Sequence, residues 1–306
     1  SMVKNCKIIA VYFGVRRTYP HTYIDTIKIL KDSIKNEIEL DPGVDNLDTI
    51  FVNHDCGIKK ANDFLDSFDG VTTFAGRIRV LHRPWGNGAG MSPGSIDYGF
   101  KKLKDDYDYW FFQEDDYKVV KKDYYKKGVE ILDSREDVAF IGYDMYHIKS
   151  STGQGYKLLK WIFQLPILIW GYKNLIKKHN KVIDSAYTLR KSNEVPYCGG
   201  IMGLTHKKYI NQIIELNGKL PYPDIPNPRY KKKFKQFNKN IVWGTIKTFF
   251  IYNQYITWYW LHIILAEINF TRIYYDIGYR IISYPEDNKL IYSYKKGGYK
   301  ERLINN

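Results

Sequence analysis

The sequence is poor in cysteine and has no long uninterrupted apolar stretch. Its three cysteines, Cys6, Cys56 and Cys198, show no metal-ligand spacing. An odd number with this spacing argues against a disulfide framework or a structural zinc site, so we expect free thiols in a reducing compartment. The most apolar stretch, residues 241–266, is interrupted by lysine, asparagine, glutamine and histidine. It falls short of the roughly 20 apolar residues of a membrane helix, and we expect a cytoplasmic protein.

The sequence carries an excess of positive charge. Its 306 residues have a formal net charge of +14, and 44% of them are hydrophobic. This composition is that of a globular chain large enough for one α/β domain or two small ones. A basic protein attracts phosphate groups, whether in nucleic acid, anionic lipid or nucleotides, and the charge alone does not choose among them. Ordinary solvated surface explains much of it equally well.

Apolar runs alternate with helical periodicity in the first half of the chain. Short apolar runs predict five strands, over residues 7–13, 49–52, 77–82, 107–113 and 138–142. Spaced apolar residues predict helices over 23–38, 59–68 and 123–132, and another with Ser92 as its N-cap and Pro93 at its first position. Alternating strands and helices indicate a mostly parallel sheet flanked by helices, which binds ligands beyond the carboxyl ends of its strands.

The second half is less regular. We predict helices over residues 158–178, 207–216 and most of 241–275, and strands over 197–203 and 278–284. The fold class expected from the whole pattern is therefore α/β, with a helical C-terminal elaboration.

Polar residues follow three of the predicted strands. They are Asn53 to Asp55, the glycine-rich loop from Trp85 to Met91, and the acids Glu114, Asp115 and Asp116. Adjacent carboxylates repel one another, and a cation offsets that repulsion. Carboxylate oxygens suit Mg²⁺ or Mn²⁺, which usually also bind substrate phosphates. Taken alone, the acids are more typical of a solvated turn, and the metal site is favoured only together with the neighbouring motifs.

The segment from Tyr107 to Leu132 resembles the central motif of GT-A fold glycosyltransferases, most nearly the large inverting family 2. Those enzymes carry an aspartate-any-aspartate motif after the fourth strand, and here Glu114 replaces the first aspartate. The resemblance implies that Asp116 binds the Mn²⁺ or Mg²⁺ that bridges a nucleotide diphosphate. It places Asp115 near the ribose or sugar, while Glu114 supports the site or binds through water.

The same resemblance assigns further positions around the donor. Gly199 and Gly200 match a paired-glycine motif beside the donor sugar and acceptor, and His206 is considered as an additional metal ligand. Close packing of a strand would explain the glycines as well. The remaining donor-site candidates are Tyr12 and Gly14 at the first strand end, Arg16 and Arg17 for phosphate, Asp55 for the base, and Asn87 in the glycine-rich loop.

Two acids compete for the role of catalytic base. Glu267 stands at the family's acidic motif, before a glycine-tyrosine-arginine strand that begins at Gly278. Asp224 lies at a more ordinary distance from the paired glycines, and we favour Glu267 over it. One carboxylate is needed to deprotonate the acceptor hydroxyl.

The resemblance implies one GT-A type catalytic domain over residues 3–306, with a nucleotide-binding half over 3–143 and an acceptor half over 144–306. Such an enzyme moves a sugar, with inversion, from a UDP- or GDP-sugar to a hydroxyl of a glycan, lipid or protein glycan. The basic segment Arg229 to Lys239, together with residues 161–172, suits peripheral membrane contact, an anionic acceptor or a solvated loop.

Two other functions remain open from the sequence. A nucleotidyltransferase on a similar sheet would also use carboxylates and a metal, with a basic glycine-rich loop after the first strand. A basic module that binds nucleic acid or a membrane surface would account for the charge. We expect no nucleic-acid partner, because a base-stacking motif is absent from the sequence.

Overall fold

The computed structural model describes residues 4–11, 26–54, 59–84, 91–143, 145–146, 197–198, 201–222, 270–271, 273–275, 277–285, 290–295 and 298–301. The strands of these stretches are β1 (Asn5–Val11), β2 (Leu47–His54), β3 (Ile78–Arg83), β4 (Tyr109–Glu114), β5 (Tyr117–Val119), β6 (Val138–Gly142), β7 (Met145–Tyr146), β8 (Tyr197–Cys198), β9 (Gly203–His206), β10 (Arg280–Ser283), β11 (Ile291–Lys295) and β12 (Gly298–Glu301). The helices are α1 (Thr26–Glu39), α2 (Lys59–Asp66), α3 (Met91–Leu103), α4 (Tyr124–Ser134) and α5 (Lys207–Asn217).

The largest sheet within the described ranges has seven strands in the order β10-β6-β9-β4-β1-β2-β3. β1 pairs in parallel with both β2 and β4, β2 with β3, and β6 with β10. Only β9 runs the other way, and it lies between β4 and β6. Six of the seven strands therefore end at the same edge. The chain builds outward from β1 to β3 and then returns to place β4 on the other side of β1, which makes the β1/β4 junction a topological switch point.

The helices cover both faces of this sheet because strand side chains alternate between faces. On one face, Ile9 and Val11 of β1 pack with Leu30 and Ile34 of α1 and with Leu65 of α2. On the other face, apolar residues of β1, β2 and β4 pack against Ile96 and Phe100 of α3; these are Ile8, Ile50, Val52, Trp110 and Phe112. The predicted fold class, an α/β protein with a mostly parallel sheet flanked by helices, is confirmed. Its sheet is consistent with a GT-A or Rossmann-like arrangement.

Some predicted elements differ from the observed ones. α3 begins at Met91, so Ser92 and Pro93 lie inside its first turn and do not form an N-cap and first helical position as predicted. Proline is tolerated there because the first amide groups of a helix have no intrahelical acceptor. The predicted strand over 197–203 is replaced by two strands, β8 and β9, in different sheets.

Two smaller sheets were not predicted. β5 and β12 both pair with β11 in an antiparallel sheet, and β7 pairs with β8. The predicted helices over residues 158–178 and over most of 241–275 lie outside the described residues, although residues 270–271 and 273–275 are helical. Across the described part of the chain, no helix is long and apolar enough to cross a membrane.

Candidate functional site

The acids Glu114, Asp115 and Asp116 lie where β4 leaves the sheet. Residues 109–113 of β4 are buried, and the chain turns at Asp115 and Asp116 before β5. The Asp115 amide donates to the Ala10 carbonyl at 3.0 Å, which extends the β1–β4 pairing one residue beyond the strand. The Asp115 side chain is fully buried, whereas Glu114 and Asp116 are partly exposed. Glu114 and Asp116 are therefore partly accessible at the end of β4, and Asp115 is enclosed.

Glu114 is positioned by the first turn of α3. The buried Ser92 hydroxyl donates to Glu114 Oε1. α3 has 13 residues, and its amino-terminal end carries a partial positive charge that favours a nearby carboxylate. The predicted N-cap serine thus serves to orient one of the three acids.

The carboxyl ends of the central strands are aligned by their register. Val11 of β1 lies opposite Asn53 of β2, and Ala10 lies opposite Glu114 of β4. Neighbouring strands are about 4.8 Å apart, so the ends of β2 and β4 are separated by roughly 10 Å, with the end of β1 between them. The Asn53 end and the acidic end therefore flank the switch point from opposite sides.

A chain of hydrogen bonds fixes the Asn53 side chain. Its Nδ2 donates to Asn62 Oδ1 at 2.8 Å and contacts His82 Nδ1 at 3.0 Å. His82 Nε2 lies 2.6 Å from Asp66 Oδ1, and in the tautomer with its proton on Nε2 the ring accepts from Asn53 through Nδ1. Asn53 is fully buried, and its Oδ1 has no hydrogen-bond partner among the described residues. Leaving a buried carbonyl without a donor costs roughly 1–3 kcal/mol.

Positive charge lies at the end of β3. The buried Arg83 guanidinium is 5.9 Å from the centre of the Tyr222 ring, and Lys219 Nζ is 4.0 Å from the same ring. The segment that carries Lys219 and Tyr222 is anchored on α3, because the Leu220 amide donates to Asp97 at 2.9 Å. These cations give the sheet edge a potential that favours phosphate.

His206 is not brought together with the acidic residues. β9 runs antiparallel to β4, and His206 pairs with Tyr109 at the amino end of that strand. Five residues separate Tyr109 from Glu114, a distance of roughly 17 Å along a strand. His206 Nδ1 instead accepts from the Lys208 amide at 3.0 Å and caps α5. Burial lowers the pKa of His206, with the Lys208 charge acting in the same direction.

The described residues offer an incomplete set of ligands for a divalent metal. Among them, no group of three or more histidine, cysteine, aspartate or glutamate side chains converges on one point. Glu114 and Asp116 offer two partly exposed carboxylates. Carboxylate oxygens are ligands that Mg²⁺ and Mn²⁺ accept, so these two residues would suit a metal held mainly by substrate phosphates and water; the described residues form no closed protein cage.

The remaining sequence candidates lie outside the described residues and stay predictions. They are Tyr12, Gly14, Arg16, Arg17, Asp55, Asn87, Gly199, Gly200, Asp224 and Glu267. Cys56 lies outside them too, while the described Cys6 and Cys198 are buried and take part in no disulfide within the described residues.

Sequence reasoning missed the parts of the site that depend on strand register. Asn53 was noted only as a polar strand end, and neither His82 nor Arg83 was a candidate. The signal available was the run of polar residues after each apolar strand, which marked the edge without showing which side chains meet there.

Comparison with known proteins gives weak likenesses. No family model matches, and no curated protein matches. Similar solved structures include 4-diphosphocytidyl-2C-methyl-D-erythritol synthase from Anaerococcus prevotii, at 16% identity and a TM-score of 0.30 over 48% of this chain and 58% of that one. They also include residues 1–349 of S. aureus TarS, solved alone and with UDP, at 12% identity and a TM-score of 0.36 over 69% of this chain and 49% of that one.

Another similar structure is mouse xyloside xylosyltransferase 1, at 9% identity and a TM-score of 0.26 over 47% of this chain and 53% of that one. In all three proteins the match spans little more than half of the other chain at most. Likenesses this distant do not assign an activity to this chain.

Proposed function

We propose that this chain is a metal-dependent glycosyltransferase that transfers a sugar from a UDP- or GDP-sugar to a hydroxyl acceptor. One observation carries the proposal: Glu114, Asp115 and Asp116 lie at the carboxyl end of β4, beside the switch point of a mostly parallel sheet. Ligands of such sheets bind in the crevice at this point. Acids there suit a diphosphate bridged by a metal ion, and Arg83 at the end of β3, with Lys219, would add positive charge that favours an anion along the same edge.

The proposed donor site divides the roles among the three acids. Asp116 and Glu114 would hold Mn²⁺ or Mg²⁺, and Ser92 would keep Glu114 turned toward the edge. When bound, the metal would offset the charge that develops on the departing diphosphate. The buried Asp115 would shape the turn and lie near the ribose or sugar. His206 has no part in this proposal, because it lies at the other end of β4.

Inversion requires a base on the acceptor side. We assign this role to Glu267 ahead of Asp224 on the family resemblance. The acceptor would be a glycan or a lipid-linked or protein-linked glycan. The basic segment Arg229 to Lys239 suits an anionic acceptor or peripheral contact with a membrane.

Product analysis tests the proposal and separates it from a nucleotidyltransferase, for which the acids at the switch point are also suitable. The purified protein is incubated with Mn²⁺ and UDP- or GDP-sugars, and released nucleotides are identified. Release of a nucleoside diphosphate from a sugar donor supports glycosyl transfer. If the protein instead releases pyrophosphate from a nucleoside triphosphate in the presence of a sugar phosphate, and has no activity on nucleotide sugars, the glycosyltransferase proposal is wrong and the protein is a nucleotidyltransferase.

The base assignment has its own test. We expect Glu267→Gln to retain donor binding and to lose turnover by at least the roughly hundredfold typical of a missing general base. Asp224→Asn is the matched variant and should retain most activity. If only Asp224→Asn loses turnover, the base is Asp224 and the assignment of Glu267 is wrong.

A further inference from the structure

The turn formed by Glu114, Asp115 and Asp116, which we call the acid turn, is bridged by the side chain of Gln113. Gln113 is the residue of β4 before the acids, and it is fully buried. Its Nε2 donates to the Tyr117 carbonyl at 2.7 Å, and Tyr117 is the first residue of β5 after the turn. The bond therefore joins the two limbs of the acid turn across its base.

The orientation of the Gln113 amide follows from this acceptor. A backbone carbonyl accepts hydrogen bonds and cannot donate them, so rotating the amide would bring Oε1 against the Tyr117 oxygen. Oε1 is itself buried and has no hydrogen-bond partner within the described ranges. Burying an unpaired acceptor is unfavourable, and an apolar side chain of similar size would avoid that cost. The bond across the turn is thus what a glutamine contributes at this position.

The acid turn lies where the chain passes from one sheet to another. β4 belongs to the seven-stranded sheet, and β5 pairs with β11 in a separate sheet. Before the turn is complete, the Asp115 amide donates to the Ala10 carbonyl at 3.0 Å. After β5, the Val120 amide donates to the Leu290 carbonyl at 2.9 Å. Each limb is held by its own sheet, and the Gln113 bond is a direct link between the two limbs.

We propose that Gln113 is a positioning residue that fixes the acid turn, and with it the carboxylates of Glu114 and Asp116, before a metal ion binds. This proposal rests on the proposed function, since it assumes a divalent metal at those two acids. Mg²⁺ demands near-ideal octahedral geometry, whereas Ca²⁺ accepts a more flexible set of oxygen ligands. A turn fixed in advance therefore favours Mg²⁺ over Ca²⁺, and it spares the metal the cost of ordering its ligands.

Calorimetric binding of the Mn²⁺, Mg²⁺ and Ca²⁺ complexes of UDP and of GDP tests the role of Gln113. Gln113→Met keeps the length of the side chain and removes its N–H donors. For the nucleotide that binds, the Mn²⁺ and Mg²⁺ complexes should bind roughly five- to tenfold more weakly to this variant, as expected for one lost hydrogen bond. The Ca²⁺ complex should lose less affinity than the Mg²⁺ complex. Unchanged affinities, or equal losses for Mg²⁺ and Ca²⁺, would refute the proposal.

Thr205→Val is the matched control. Thr205 is also fully buried, and its Oγ1 donates to the Ala139 carbonyl at 2.7 Å. It lies on β9 opposite Trp110, which is roughly 13 Å before Glu114 along β4. We expect this substitution to leave the affinities of all three metal complexes unchanged. If it weakens them as much as Gln113→Met does, the effect is a general consequence of losing a core hydrogen bond, and the role of Gln113 at the turn is overturned.

Hydrogen exchange in the unsubstituted protein gives a second test that does not depend on the folding of a variant. If the acid turn is fixed in advance, the Asp115 and Val120 amides should be protected from exchange before any metal or nucleotide is added. Amides that exchange freely until the metal complex binds would show that the metal orders the turn. That result would refute a positioning role for Gln113.

The outcomes for the proposed function and for Gln113 can be told apart. If neither nucleotide binds with Mn²⁺, or if Asp116→Ala binds the Mn²⁺ complexes as tightly as the parent protein, the proposed metal site at the acid turn is wrong. If Asp116→Ala loses this binding while Gln113→Met keeps the parent's affinities, only the role of Gln113 is refuted.

Discussion

Removing one member of the buried Lys7–Glu37 ion pair should strongly destabilise the protein. Lys7 Nζ lies 2.6 Å from Glu37 Oε1, and the two side chains are 0% and 5% exposed. The ammonium also lies 5.4 Å from the Phe111 ring centre and 5.1 Å from that of Tyr124. Burial lowers the pKa of Lys7, and Glu37 opposes this effect. The ammonium is therefore retained in the core because a carboxylate accompanies it.

The expected magnitude follows from which charge is left behind. Glu37→Gln leaves a buried ammonium without its counter-ion, and Lys7→Met leaves a buried carboxylate. Either change should lower the free energy of unfolding by roughly 3–5 kcal/mol. That loss is a large fraction of the total of about 5–15 kcal/mol available to a domain. Urea unfolding followed by circular dichroism gives the values for each variant.

The double variant is the decisive control. Lys7→Met combined with Glu37→Leu removes both charges, so it should recover most of the loss and unfold within about 1–2 kcal/mol of the parent protein. If the single losses are below about 1 kcal/mol, the pair is solvated and the burial argument is wrong. If the two losses simply add in the double variant, the side chains do not interact in the folded state.

Two further predictions concern the core. Gly203→Ala should lower the free energy of unfolding, measured in urea, by roughly 1–3 kcal/mol, because a methyl group there clashes with the Phe140 ring and the Ile141 carbonyl. Unchanged stability would contradict the close approach of β9 to β6. Burial raises the pKa of Tyr124 and Tyr125, so their contribution to stability is complete below the unfolded value of about 10 and is lost as the pH rises toward their folded values. The urea concentration at the midpoint of unfolding should decrease as the pH is raised from about 9 to about 11. A midpoint that stays constant over this range would refute the prediction.

The central part of the fold was predictable because its signals are local. The apolar runs at 7–13 and 107–113 became β1 and β4, and the periodic stretch at 23–38 became α1, each within a few residues of its predicted bounds. Strands fully buried on both faces read as continuous apolar runs, and the residues that follow them fall at the ligand-binding edge. The acids of the candidate site could therefore be located from sequence.

The order and direction of the later strands could not be predicted. β9 enters between β4 and β6 against the direction of both, and the local sequence carries no signal for this placement. Gly203 permits it, since a larger residue would not fit against Phe140. β5 pairs with β11, a partner more than 150 residues away in the chain, and such non-local pairing is not visible in periodicity.

The contacts within the site depended on register in the same way. Ser92 was expected to cap a helix; α3 starts two residues earlier than predicted, and Ser92 within its first turn bonds to Glu114. Asn53 meets His82 only because β2 and β3 pair in parallel at that position. Residue type and spacing can suggest that such groups lie at one edge, while their hydrogen bonds follow from the pairing of strands far apart in sequence.

Metal-dependent binding of a nucleotide at Asp116 tests the central claim most directly. Thermal unfolding is followed with UDP- and GDP-sugars, with and without Mn²⁺, in the parent protein, Asp116→Ala and Asp137→Ala. Asp137 is an exposed carboxylate paired with Arg135 just before β6, at the opposite edge of the sheet. We predict a rise in unfolding temperature that requires both nucleotide and metal, is lost in Asp116→Ala and persists in Asp137→Ala. A nucleotide-induced rise that is independent of metal, or that survives Asp116→Ala, would contradict a metal-bridged donor site at the end of β4.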